Sequence, residues 1–283
     1  MSGCLRTGER SAKKYTVNTI VITLTPTESK RLIGKAVAAM PAVQQAFQSG
    51  RLIVAMGTTN AYVLEELTGQ QVDKGTYAVG VVTQGVACLT DPSSRQTPAS
   101  FVRGQLSDRP WQQVLTEFTV DDVFIKGANA LDPAGNVGIL LGGEQGGTIG
   151  QAMGKLAAVG ARLIIPVGME KLIPDVRQAA QAMGQGKMSG QWGMPCGLFV
   201  VSTGEVVTEV DALESLFAVG ATVVSAGGLS GSEGAITLAV RGERQDIEAV
   251  SRLATELKRE PNFTVRKRQC AECSDRCARS RRE

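Results

Sequence analysis

The stretch Arg51-Leu-Ile-Val-Ala-Met-Gly-Thr-Thr-Asn60 decides the fold class. Arg51 to Met56 is a short continuous apolar run of the kind buried on both faces of a parallel sheet. Gly57 ends it, and helical spacing takes over from about Thr59 to Leu67. Strand, glycine turn, helix is the repeating unit of an α/β fold.

Working outward, Thr16 to Leu24 alternates β-branched residues with others and predicts a strand. Beyond the boundary Thr25-Pro26-Thr27, residues Thr27 to Phe47 have the spacing of a helix. From Tyr77 to Asp108, short strand-like pieces are broken by Asp91-Pro92 and Thr97-Pro98, which predicts a hairpin and loop excursion at the sheet edge. Regularity returns with a helix at Trp111 to Phe118 and strands at Asp122 to Lys126 and Val137 to Leu141. A helix at Thr148 to Val159 and a strand at Arg162 to Val167 follow. This alternation predicts a mostly parallel, Rossmann-like sheet flanked by helices, with right-handed crossovers. Gly184 to Gly197 resembles a mobile link, and beyond it strands and helices continue to Arg259. The expected organisation is a polar leader over 1–15, a Rossmann-like anion-binding domain over 16–185, a smaller α+β module or completion of the sheet over 186–263, and a basic cysteine-rich tail over 264–283.

Composition narrows the function. The chain has 283 residues, enough to bury a full core, and 43% of them are hydrophobic, which excludes general disorder. No run is long enough for a membrane span and the start lacks an apolar signal core, so the expected location is the cytoplasm, away from membranes. Net charge is +3, but residues 264–283 alone carry a surplus of basic side chains, leaving the body near neutral. A neutral body makes a poor nucleic-acid platform. The expected partners are a small anionic metabolite and further copies of the chain. Histidine is absent. That removes histidine bases, Ser-His-Asp and Cys-His mechanisms and the common histidine zinc sites together, leaving Asp, Glu, Lys, Tyr or Cys for any acid–base work.

In a parallel sheet, ligands gather where strand ends meet helix N-termini, whose free N–H groups favour anions. Three turns fit. Gly57, Thr58, Thr59 and Asn60 offer a tight turn with two hydroxyls and an amide, or else merely cap the helix. Gly142, Gly143, Gly146, Gly147 and Thr148 open the next helix, with the outer spacing of a phosphate loop but without its Lys-Ser/Thr, which disfavours nucleoside-triphosphate hydrolysis. Lys126 stands before Gly127 and Asn129 at the end of a buried strand, where an ammonium is costly unless it reaches water or an anion. Glu144, a carboxylate inside the second turn, is the candidate base, with Lys126 beside it as the other candidate catalytic group. Asp132 before Pro133 reads as a turn former, and Gly227 to Gly234 as a hairpin loop or a further site.

These turns resemble a family. The strand-GTTN-helix at 51–67, KGANALDPAGNVG at 126–138, the glycine turn at 142–147 and the strand running into Pro166-Val-Gly-Met-Glu-Lys171 are similar to successive turns of one superfamily. It contains ribose-5-phosphate isomerase A, glucosamine-6-phosphate deaminase, sugar-sensing DeoR-type regulators and CoA transferases. The resemblance covers about residues 50–175. It implies that Gly57, Thr58, Thr59 and Asn60 form a phosphate loop and that Lys171 helps bind phosphate. It also implies a departure: Lys126 and Asn129 stand where the isomerase carries acids, so isomerase chemistry in its usual form is not expected.

The tail places Cys270, Cys273 and Cys277 within eight residues, a spacing that suits zinc or an iron–sulfur cluster but is one ligand short, unless Cys4 completes it. The alternative is a tail of reduced thiols. The functional expectation is binding of a small phosphorylated or anionic metabolite, as a sensor or non-isomerase relative of sugar-phosphate isomerases. The alternatives are an isomerase, hydrolase or transferase using Glu144 and Lys126 on a sugar phosphate or nucleotide, and a metal or iron–sulfur interaction protein working through the tail.

Overall fold

Thr25 begins the first helix with a capping box: its hydroxyl accepts from the Glu28 N–H while the Glu28 carboxylate accepts from the Thr25 N–H. In this computed structural model, which describes residues 17–143, 145–188, 190 and 192–269, the elements run β1 (Val17–Leu24), α1 (Pro26–Ala39), α2 (Pro41–Ser49), β2 (Arg51–Val54) and α3 (Thr58–Thr68). Then come β3 (Gly80–Thr83), β4 (Val86–Leu89), β5 (Ala99–Val102), β6 (Gln105–Leu106), α4 (Trp111–Thr116), β7 (Val123–Ile125), β8 (Ala130–Leu131) and β9 (Val137–Leu141). The chain continues through α5 (Gly147–Val159), β10 (Arg162–Pro166), a 3-10 turn (Met169–Lys171), α6 (Val176–Ala182), β11 (Gly197–Val201) and β12 (Glu205–Val207). It closes with α7 (Glu209–Leu216), β13 (Val219–Ala226), β14 (Ile236–Glu243) and α8 (Arg244–Leu257).

The fold is α/β with a mixed sheet. Its central sheet has the order β12-β10-β7-β2-β5-β6. The first four strands are parallel, and β5 and β6 are antiparallel additions at one edge. Successive residues of β2 alternate between two cores, as the pleat requires. Leu52 and Val54 join Val123, Ile125, Ile164 and Val207 beneath residues of α1, α7 and α8. Ile53 joins Phe124, Leu163 and Ile165 beneath residues of α4 and α5. Strands from both sides of residue 185 share these sheets, since β12 extends the central one and β1 pairs along its whole length with β14.

Two local expectations are corrected. The single helix over Thr27 to Phe47 is two, because Pro41 lacks an N–H and forces Met40 out of the helical region, to ψ 130°. The Val137 to Leu141 strand does not enter the parallel sheet. It pairs antiparallel with β8 and β11. The cause is the Asp132 turn: its carboxylate accepts the N–H groups of Ala134 and Asn136, and Gly135 takes a φ of +82°, folding β8 back onto β9. Asp132 also accepts the N–H of Val176, so its work is structural. Among the described residues no helix is long and apolar enough to cross a membrane.

Candidate functional site

β2 and β7 end side by side, and Asn60 ties their ends together. Its side-chain amide is fully buried and donates to the Ala55 carbonyl at 2.7 Å and the Ile125 carbonyl at 3.4 Å. That leaves its carbonyl oxygen buried without a partner among the described residues. The first intrahelical bond of α3 runs from the Ala61 N–H to Gly57, so the N–H groups of Thr58, Thr59 and Asn60 have no partner within the helix. Gly57 provides no side-chain cap for them.

The second helix terminus is built by glycine. Gly146 and Gly147 have φ of +75° and +56°, a region in which a β-carbon is strained, and they swing the chain from β9 into α5. The Gly150 N–H bonds to Gly146, which leaves the amides of Gly147, Thr148 and Ile149 outside the helical ladder.

Two lysines reach the same turn from different strands. Lys126 follows β7, and its ammonium donates to the Gly127 carbonyl at 3.2 Å. Lys171 follows β10 on the 3-10 turn, and its ammonium donates to the Ala128 carbonyl at 3.0 Å. The lysines elsewhere that touch acids show what is missing: Lys30 pairs with Glu170, Lys35 with Glu66, Lys74 with Glu65 and Lys258 with Glu28. Among the described residues no carboxylate pairs with Lys126 or Lys171. Burial, and then the neighbouring Lys171 charge, pull Lys126 down to about 8. Lys171 is pulled to about 8 by burial and the Lys30 charge, against the opposing pull of Glu170 and Glu209.

These parts enclose a cavity of about 360 Å³. Every residue predicted for ligand binding lines it: Gly57, Thr58, Thr59 and Asn60 from the first turn, Gly127 and Asn129 from the second, Gly142, Gly143, Gly146, Gly147 and Thr148 from the third, and Lys171. Lys126 lines it as well. Asn129 also has a structural task, since its side-chain oxygen accepts the Leu140 N–H. No acid occurs among the described lining residues. Glu144, Cys270, Cys273 and Cys277 lie outside the described residues, as does Cys4, and the described ones contain no group of metal ligands. Gly227 to Gly234 connects β13 to β14 and does not line the cavity.

Sequence reasoning missed one wall and one support. The wall is the β3–β4 hairpin with Met194 and Cys196. The Ala87 carbonyl accepts the Met194 N–H, and the edge of β4 is closed by residues 266–268, where Leu89 accepts the Arg268 N–H and Asp91 donates to the Arg266 carbonyl. The support is Glu209, fully buried at the start of α7, whose carboxylate accepts the Met169 N–H at 2.8 Å and so fixes the turn that carries Lys171. Burial pushes its carboxyl above the usual range. The Thr208 capping box with Asp211 was the readable signal for that helix start. Comparison with protein-family models, with curated proteins and with solved structures finds no match for this chain.

Proposed function

We propose that the cavity binds a small phosphorylated or anionic metabolite, with its anionic group between Lys126 and Lys171. The observation that carries this reading is the pair of ammonium groups facing one cavity with no carboxylate partner among the described residues. Half-buried ammonium groups with no carboxylate paired to them are costly, and a bound anion offsets that cost. Two helix termini whose first amides lie outside the helical ladder add donors and dipole at the same cavity. The order of the turns along the chain supports kinship with the sugar-phosphate isomerase superfamily and a Rossmann-like origin for the parallel strands. The lysine at 126, where that family's isomerase carries an acid, favours a sensor or a non-isomerase relative acting on a diffusing metabolite in the cytoplasm.

Inorganic phosphate, sulfate and a sugar phosphate at millimolar concentration should each raise the melting temperature, and chloride at matched ionic strength should not. An empty, folded protein whose melting temperature ignores all three anions would refute the assignment.

A further inference from the structure

Two lysines in one anion pocket raise the question of whether both serve as charges. Their surroundings differ. Lys171 sits in the field of Glu170 and Glu209, which favour its ammonium form, and the adjoining Lys30 is itself paired with Glu170. Lys126 has burial and the Lys171 charge acting on it, and both disfavour its ammonium form. Among the described residues, its ammonium donates to the carbonyl of the following residue and meets no carboxylate. A lysine that is desolvated beside a second cation is the arrangement that turns an ammonium into a nucleophilic amine.

We infer that Lys126 is an amine nucleophile that condenses with the carbonyl group of a small phosphorylated aldehyde or ketone, forming an imine inside the cavity. The amine lone pair adds to the carbonyl carbon, and the carbonyl oxygen takes up a proton to give a carbinolamine. That oxygen then leaves as water with the two hydrogens of the amine, so the step consumes no oxidant or reductant. Lys171 holds the phosphate, whose negative charge together with Glu170 and Glu209 favours the lysine's ammonium form, and the amides of Thr58 and Gly147 complete the cradle. The phosphate half of this inference rests on the anion reading above, whereas the amine half does not. At neutral pH an amine whose pKa is about 8 has a far larger free fraction than an ordinary lysine near 10.5. Lower basicity costs part of that gain in nucleophilicity, and about a tenfold net rate advantage remains.

The test uses the full chain with glycolaldehyde phosphate and sodium cyanoborohydride, which reduces an imine to a stable secondary amine. Adducts are then mapped by peptide mass spectrometry. The thiols of Cys88 and Cys196 also line the cavity, but their addition products are reversible and are not trapped this way. We expect Lys126 to be labelled about tenfold faster than the exposed lysines, with a rate that rises as pH passes through about 8. Free phosphate should slow it, and unphosphorylated glycolaldehyde should label it more slowly. Equal labelling of Lys126 by both aldehydes, unaffected by phosphate, would uphold the amine and refute the anion site. Labelling spread over exposed lysines with Lys126 untouched, in a protein that phosphate still stabilises, would overturn the imine and leave the anion site standing. Because the wild-type chain reports every outcome, no variant has to fold for the result to count.

Discussion

Lys126 bears more of the functional argument than any other side chain, and its burial has two separable effects. An ammonium held away from water without a counter-charge weakens the fold, while the same ammonium strengthens the hold on an anion. Replacing it with methionine keeps most of the stem and removes the charge. Lys126→Met should therefore melt no lower than the wild type, while its affinity for phosphate, measured by calorimetry, falls about tenfold, in line with the ~1.5–3 kcal/mol of a charge-assisted hydrogen bond. Unchanged affinity would mean that the side chain only faces solvent. Asn60 shows how a residue can be legible in position and not in role. Its place in Gly57-Thr-Thr-Asn60 pointed to the turn, but only the geometry shows its amide bridging the ends of two strands.

Helix α1 crosses α3 at Gly34, where a β-carbon would lie 2.8 Å from the β-carbon of Tyr62 and 3.0 Å from its backbone. Gly34→Ala sets a gain in helix propensity of about 1 kcal/mol against a clash that no flexible side chain can relieve. The clash prevails, and urea denaturation should show a net loss of about 1–2 kcal/mol. Beyond α8, no periodic pattern follows Phe263, so the sequence predicts that a cut there leaves the core folded. The structure adds that residues 266–268 close the edge of β4. Truncation after Phe263 should loosen that cavity wall and weaken phosphate binding, whereas truncation after Gln269 should leave binding intact, as read by isothermal titration.

The same contrast explains what could be read in advance. β2, Gly57 and α3 were legible because an apolar run, a glycine and a helical repeat are all local signals. The placement of β9 was not, since its partner β11 lies about sixty residues on and a five-residue apolar strand looks alike in either kind of sheet. β12 is three residues long, too short to carry a period. The wall of β4, Met194 and Cys196 arises from pairing between distant segments, which no short pattern encodes.

For the molecule as a whole, the lysine pair makes stability depend on alkaline pH. Below about pH 8 both lysines are charged in the folded and unfolded states, and the penalty of burying them is fully present. Between about 8 and 10.5 the unfolded chain binds more protons than the folded one, so the free energy of unfolding rises with pH. Each side chain keeps part of its surface on the open cavity, which limits the gain to about 1–3 kcal/mol for the pair. The urea midpoint should climb from about pH 7.5 to about pH 9.5 in an anion-free buffer and stay flatter with saturating phosphate. A falling midpoint without anion would contradict the burial of these charges. The pairing of β1 with β14, Val17 against Glu243 and Leu24 against Ile236, also sets a timetable for synthesis. While the ribosome is still adding the residues between them, β1 is a strand with no neighbour, and the apolar side of Ile20, Ile22 and Leu24 has no sheet to join. The nascent chain must keep that segment from pairing wrongly until β14 emerges, so chaperone occupancy should concentrate on β1.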